Sequence, residues 1–243
     1  MECMDENIIY DIYYKRYPYA FRFGSYHAIL RSLTIAKLVD RLYVNSRLSQ
    51  QTYDRLFRTR QLIRTLILYG PNSPQSKAVI NVINHSHKTV NADNEDFLYV
   101  LSSFFLEPLR WNSVYGTISV SHEDTRELIL FWRNIGYQLN IRDLFDNFND
   151  WTEFQSDYER RYMKYSDYGH QLAIKSIDEL CLQAIPFGFR RVAKQLLYGT
   201  IDENVREALG LPTSHFPVSL ILKTINYVKP NFEPRRSLVE SSK

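Results

Sequence analysis

Helix starts and stops recur along the whole chain and leave little room for any other regular structure. Ser73 before Pro74 reads as an N-cap with proline at the first helical position. Asp93 with Asp96, Ser121 with Asp124, and Thr200 with Glu203 have capping-box spacing. Gly70 and Gly210 stand where a helix should end, since glycine alone enters the left-handed region without steric cost. Between these marks apolar residues return every three or four positions. In "DFLYVLSSFF" they are Phe97, Leu98, Leu101, Phe104 and Phe105. No alternating run and no Asn-Gly hairpin is present, and eight glycines in 243 residues are about half the usual share. The pattern predicts an all-α fold of about eight to ten helices in a single domain, without internal repeats or a dividing linker.

Several function classes drop out. Cys3 and Cys181 are the only cysteines, so there is neither a disulfide framework nor a clustered zinc site, and a reducing compartment is expected. No glycine-rich phosphate loop and no Gly-x-Ser-x-Gly elbow exists, which removes nucleotide and hydrolase chemistry. The longest apolar run, "FLYVLSSFFLEPL", is too short to cross a bilayer, and the acidic start "MECMDENIIYDIYY" is unlike a signal peptide. The expected location is cytoplasmic or peripheral on an intracellular membrane. Net charge is only +3, yet residues 15 to 64 carry eleven Lys or Arg against Asp40 and Asp54. That asymmetry hints at an anionic partner, either nucleic acid or a membrane surface; peripheral membrane association is the expectation, and no nucleic acid is expected as partner.

Two of the six histidines lie in "NVINHSHKTV". A helix turns about 100° per residue, so His85 and His87 face nearly opposite ways. With Val79, Val82, Ile83 and Val90 taken as the apolar stripe, His87 falls at its margin and His85 points away. In the preceding helix, "SQQTYDRLFRTRQLIRTLILYG", Leu56, Ile63, Leu66 and Ile67 define the apolar side. Arg55 and Thr59, four apart, share a flank of it. An arginine beside the core needs a counter-charge, and Asp54 is on another face. A haem would offer two propionates to the arginine and hydroxyl, an iron to one imidazole, and a flat apolar body to the helices. An arginine reaching to solvent and a histidine bonded to a backbone carbonyl fit the same spacing. His27, His122, His170 and His215 have no partners at metal-ligand spacing.

"DRLFRTRQLI", "VINHSHKTV", "DNEDFLYVLSSFFLEPLRW" and "LFWRNIGYQLNI" follow one another in an order and spacing that resemble an oxygenase family. It is the MpaB-like family, which contains the fungal ER-bound mycophenolic-acid pathway oxygenase and the bacterial latex-clearing rubber oxygenases. "YERRYM", "AIPFGFRRVAKQLL", "VREALGLP" and "FEPRR" extend the match to about residues 17 to 236. This implies an N-terminal extension (1–16), a helical domain (17–236) and a short tail (237–243).

The resemblance implies an all-α fold distantly related to globin-like packing, with a haem b whose iron is held by one histidine. That histidine maps onto His87, with His85 at a position usually apolar or aromatic. The pocket arginine and threonine map onto Arg55 and Thr59. Arg110 and Trp111 match a recurrent segment, where Trp111 is expected to pack in the core. Three departures stand out. Arg58 replaces a lysine that precedes the threonine in latex-clearing proteins. Their upstream glutamate has no counterpart, because residues 28 to 53 hold only Asp40 as an acid. No counterpart of the fungal N-terminal membrane anchor is expected. The implied function is haem-dependent oxygenation, using dioxygen to cleave a double bond in a hydrophobic isoprenoid or lipid-like substrate, with no catalytic side chain assigned. The alternative is a non-catalytic haem- or lipid-binding helical protein of the same family.

Overall fold

In this computed structural model the described residues are 8–44, 48–88, 90–184, 186–214, 218, 221 and 222. The side chains of 41–57, 183 and 184 lie outside that description. The described elements are α1 (Ile8–Asp11), a π-helical turn (Ile12–Arg16), α2 (Pro18–Ser32), α3 (Ala36–Val44) and α4 (Leu48–Tyr69). They continue with α5 (Pro74–His87), α6 (Asn94–Tyr115), α7 (His122–Gln138) and α8 (Phe148–Tyr162). Then come α9 (Asp167–Ala184), a 3-10 turn (Phe187–Phe189), α10 (Arg190–Thr200) and α11 (Glu203–Ala208). Among the described residues there is no strand, only one isolated bridge between Ile35 and Met163. The extra helices relative to expectation are short, four residues in α1 and six in α11.

Most expected boundaries are where local chemistry puts them. Ser73 Oγ accepts the Ser76 N–H at 3.1 Å, and Ser121 Oγ accepts that of Asp124 at 3.0 Å. Asp93 and Asp96 form a reciprocal capping box. Gly70 and Gly210 have φ of 71° and 60°. Thr200 does not start a helix: it is the last residue of α10, and Asp202 occupies the N-cap position of α11. The Thr200 hydroxyl donates instead to Leu197 O at 2.7 Å, a bond within its own last turn.

Two capping residues also hold the tertiary structure. Asp96 is buried, accepts from Tyr158 OH at 2.5 Å on α8, and pairs with Lys37 of α3 at 2.5 Å. Asp124 is buried as well, accepting from Tyr17 OH at 2.8 Å and from Arg16.

Among the described residues the α2–α6 pair is the most extensive helix contact. The helices approach closely because Gly24 presents no side chain to Pro108. A Cβ there would stand 2.6 Å from Pro108 N and 3.0 Å from the Glu107 carbonyl carbon. Pro108, inside α6, has no N–H to give the preceding turn. Around this pair the main core gathers Phe21, Leu66, Leu101, Phe105, Leu128, Trp132, Ile135 and Trp151. A second cluster joins Leu30 of α2 and its C-cap residue Leu33 to Leu172 and Ile177 of α9 and to Leu209. The helices thus form one all-α domain. Cys181 is buried in the second cluster as a free thiol, and Cys3 lies outside the described residues.

Candidate functional site

His87 is the last residue of α5, and its half-buried ring lies 4.4 Å, centroid to centroid, from that of Phe97 at the start of α6. The buried residues of α5 are Ser76, Val79 and Ile80, whereas Val82 is 54% exposed. The apolar face is therefore set by Val79, Ile80 and Ile83, not by Val82. His87 is seven residues beyond Ile80 and four beyond Ile83, so it sits on that face and not at its margin. His85 is exposed, as its phase predicts. Asn84 fastens this end of the helix by donating to Gln138 O of α7 at 2.9 Å. Burial lowers the His87 pKa from its ordinary value of 6.5, leaving a neutral imidazole near pH 7.

On α4, Leu66 and Ile67 are buried and Ile63 is partly so, as the apolar phase predicts. Thr59 is half-buried on the same line, and Arg58 is exposed. Arg55 lies in the helical backbone of α4, but its side chain is outside the described residues, as is that of Leu56. The four residues between α4 and α5 make the two helices packed neighbours in a hairpin. At about 1.5 Å per residue from the turn, His87 lies about 20 Å along, between Thr59 at about 15 Å and Arg55 at about 21 Å. The backbone hairpin thus brings these three positions to one level.

A second cluster was not anticipated from the sequence. Arg31, near the end of α2 and only 3% exposed, places Nε 2.9 Å from Glu107 Oε1 and Nη1 2.8 Å from Glu159 Oε2. Its Nη2 pairs with Asp202, which connects α10 to α11. Arg110 pairs with Glu107, donates to Gln155 at 2.9 Å, and stands 3.8 Å from Asp202. Tyr99 donates to Glu159 at 3.0 Å. Burial alone would lower the Arg31 pKa, but Glu107, Glu159 and Asp202 reverse the shift and raise it. For Glu107 burial is the larger influence and raises the carboxyl, with Arg31 and Arg110 opposing it.

Beside these charges is a cavity of about 150 Å³ lined by His27, Arg110, Trp111, Tyr115, Thr200 and Asp202, among others. His27 Nε2 is 2.9 Å from Thr200 Oγ1. Because that hydroxyl spends its proton on Leu197 O, His27 is the donor to it. Enclosure lowers the His27 pKa to about 4, with Asp202 opposing and Arg31 and Arg110 adding to the shift. Neither His87 nor Thr59 lines this cavity.

Of the remaining sequence candidates, Trp111 is buried against Phe23 and Tyr115, as expected. His170 bonds Leu209 O at 2.8 Å, His122 is exposed, and His215 lies outside the described residues. His27, set aside with them for lack of sequence neighbours, is part of the cavity wall. The available signal for the cluster was Glu107 itself, a lone carboxylate inside the apolar run of α6. Among the described cations between residues 15 and 64, Lys15 meets Asp11, Arg16 meets Asp124, Lys37 meets Asp96, and Arg31 meets its three acids.

Among the described residues no three His, Cys, Asp or Glu side chains converge to hold a bare metal ion. A metal delivered by a macrocycle needs only a single protein ligand, and the neutral imidazole of His87 is a residue that could supply it.

The described residues form a helical domain with a half-buried, neutral imidazole, His87, at the end of a helix hairpin. The chain belongs to the family described as ER-bound oxygenase mpaB/B'/rubber oxygenase, catalytic domain, whose model matches residues 18–223. That is an oxygenase catalytic domain, in agreement with the sequence resemblance. No curated protein matches the chain. Among the described residues no helix is long and apolar enough to cross a membrane.

Proposed function

We propose that this chain is a haem b-dependent oxygenase that uses dioxygen to cleave a double bond in a hydrophobic isoprenoid or lipid-like substrate, giving two carbonyl fragments. The reading rests on His87, a half-buried imidazole kept neutral by its surroundings, within a domain of an oxygenase family. Haem b, when bound, supplies the dioxygen chemistry that side chains lack. His87 would hold the iron, because only the neutral imidazole has a lone pair to give. Thr59 and Arg55, level with it on α4, would hold the propionates, the hydroxyl as donor and the guanidinium as counter-charge. Phe97 packs against one side of the His87 ring, at a tilt of 31°, and would shield that side from water.

No side-chain base is assigned, since residues 28 to 53 hold only Asp40, which is exposed. Substrate placement and exclusion of water are therefore the protein's contribution to rate. Expression with haem supply should give about one haem per chain and a Soret band. His87→Ala should abolish or shift the band, and His85→Ala should leave it. A native protein without the band, or equal loss in both variants, rejects the haem assignment. Full loading without oxygen consumption on any isoprenoid or unsaturated lipid favours the non-catalytic haem-binding reading.

A further inference from the structure

The 3-10 turn between α9 and α10 exposes its aromatic side chains. Phe187 is 86% exposed and Phe189 68%, with Leu182 at 50% and Val192 at 44% on the flanking helices. Nothing lies within 4 Å of where a Cβ on Gly188 would be, so the turn stands clear of the body. It is nevertheless a defined structure. Arg190 Nη2 donates to Leu182 O at 3.1 Å, closing the turn onto the end of α9, and its guanidinium lies 5.5 Å from the Phe187 ring centroid.

Along the sequence the turn and α10 carry charge of one sign. Between Glu179 and Asp202 the chain has no acid, and its cations are Arg190, Arg191 and Lys194. Lys194 pairs with Asp178, while Arg191 is exposed. A projecting apolar tip with cations one step behind it matches a lipid surface in depth and in charge. Rings enter the boundary between headgroups and acyl chains, and guanidinium groups stop at the phosphates. A flat protein partner would leave such a narrow tip mostly uncovered.

We propose that the Phe187–Phe189 turn docks the protein on membranes containing anionic lipids. Phe187 and Phe189 insert shallowly, with Arg190 and Arg191 at headgroup level. The turn lies about 100 residues beyond His87 in the sequence, and among the described cations of the basic N-terminal third Lys15, Arg16, Arg31 and Lys37 face carboxylates.

The test is co-sedimentation of the full chain with phosphatidylcholine vesicles, with or without about one-third phosphatidylserine. Binding should need the anionic lipid and weaken with salt. Phe187→Ser combined with Phe189→Ser should reduce partitioning at least about tenfold, and Arg191→Gln about fivefold, with unchanged thermal unfolding. Trp111, Trp132 and Trp151 are all buried away from a membrane surface, so a vesicle-dependent change seen in Phe187→Trp and not in the native chain is assigned to the indole added at the turn. Its emission should shift to the blue on vesicles with phosphatidylserine. The proposal is overturned if native protein does not bind these vesicles, if the double serine variant binds undiminished, or if the introduced indole does not respond. It is equally overturned if the native chain self-associates in solution and the serine variant does not, since the turn would then be an interface between copies.

Discussion

Arg31 Nε lies 2.9 Å from Glu107 Oε1, joining α2 to α6 where both side chains are almost wholly buried. The same guanidinium reaches Glu159 on α8 and Asp202 between α10 and α11, so one side chain ties together four parts of the fold. Removing it leaves Glu159 without a counter-charge and buried Glu107 with Arg110 alone. Arg31→Met should cost about 3–5 kcal/mol in urea unfolding. Glu107→Gln, which keeps an acceptor for Arg31, should cost clearly less. Equal losses would mean that packing, not charge, sets the value of this site.

Gly24 permits a close backbone approach in the α2–α6 pair. The atoms a Cβ would meet belong to the backbone of Glu107 and Pro108, which cannot swing aside. Gly24→Ala should therefore destabilise by about 1–3 kcal/mol, although alanine is the better helix former. Gly188→Ala, in open space, is the control and should stay within about 0.5 kcal/mol. A neutral Gly24→Ala would show that the helices separate easily.

His27 makes stability fall on acidification. Its pKa is about 4 in the folded chain against 6.5 for the ordinary imidazole. Between these values the unfolded chain binds more protons, so this contribution is complete above 6.5 and is lost as pH falls towards 4. The slope is at most about 1.4 kcal/mol per pH unit. Urea unfolding between about pH 7 and about pH 4.5 should show a shallower loss for His27→Gln than for the native chain. Parallel curves would exclude His27 as the source.

Haem retention should follow the protonation of His87. Because burial lowers its pKa below 6.5, the Soret band should persist through mildly acidic solution and collapse only below that value. Thr59→Val and Arg55→Met should weaken retention and shift the band while leaving the fold intact, whereas Asp40→Asn should change neither spectrum nor turnover. A spectrum indifferent to both Thr59→Val and Arg55→Met would remove these residues from the haem-binding assignment.

The sequence by itself determined the helical class, most helix ends, and the phase of His87 against His85. A cap closes within about four residues, and a left-handed glycine answers to its own φ, so both are written locally. Where two elements compete for a residue, local reading failed. Thr200 has the spacing of a helix start, but its hydroxyl is committed to Leu197 O and His27. Val82 has the hydropathy of a core residue, yet Ile80 takes the buried face of α5 because the neighbouring helices lie on that side.

Only the tertiary structure decided the ionic cluster, which sequence spacing does not encode. Glu159 and Asp202 lie 128 and 171 residues from Arg31, and no helical period spans such distances. Their meeting depends on α2 and α6 crossing at Gly24 and on α8 and the α10–α11 junction packing around that crossing. Buried charges persist only where opposite charges converge from several elements, so the cluster exists because the helices are assembled and not because any one of them contains it.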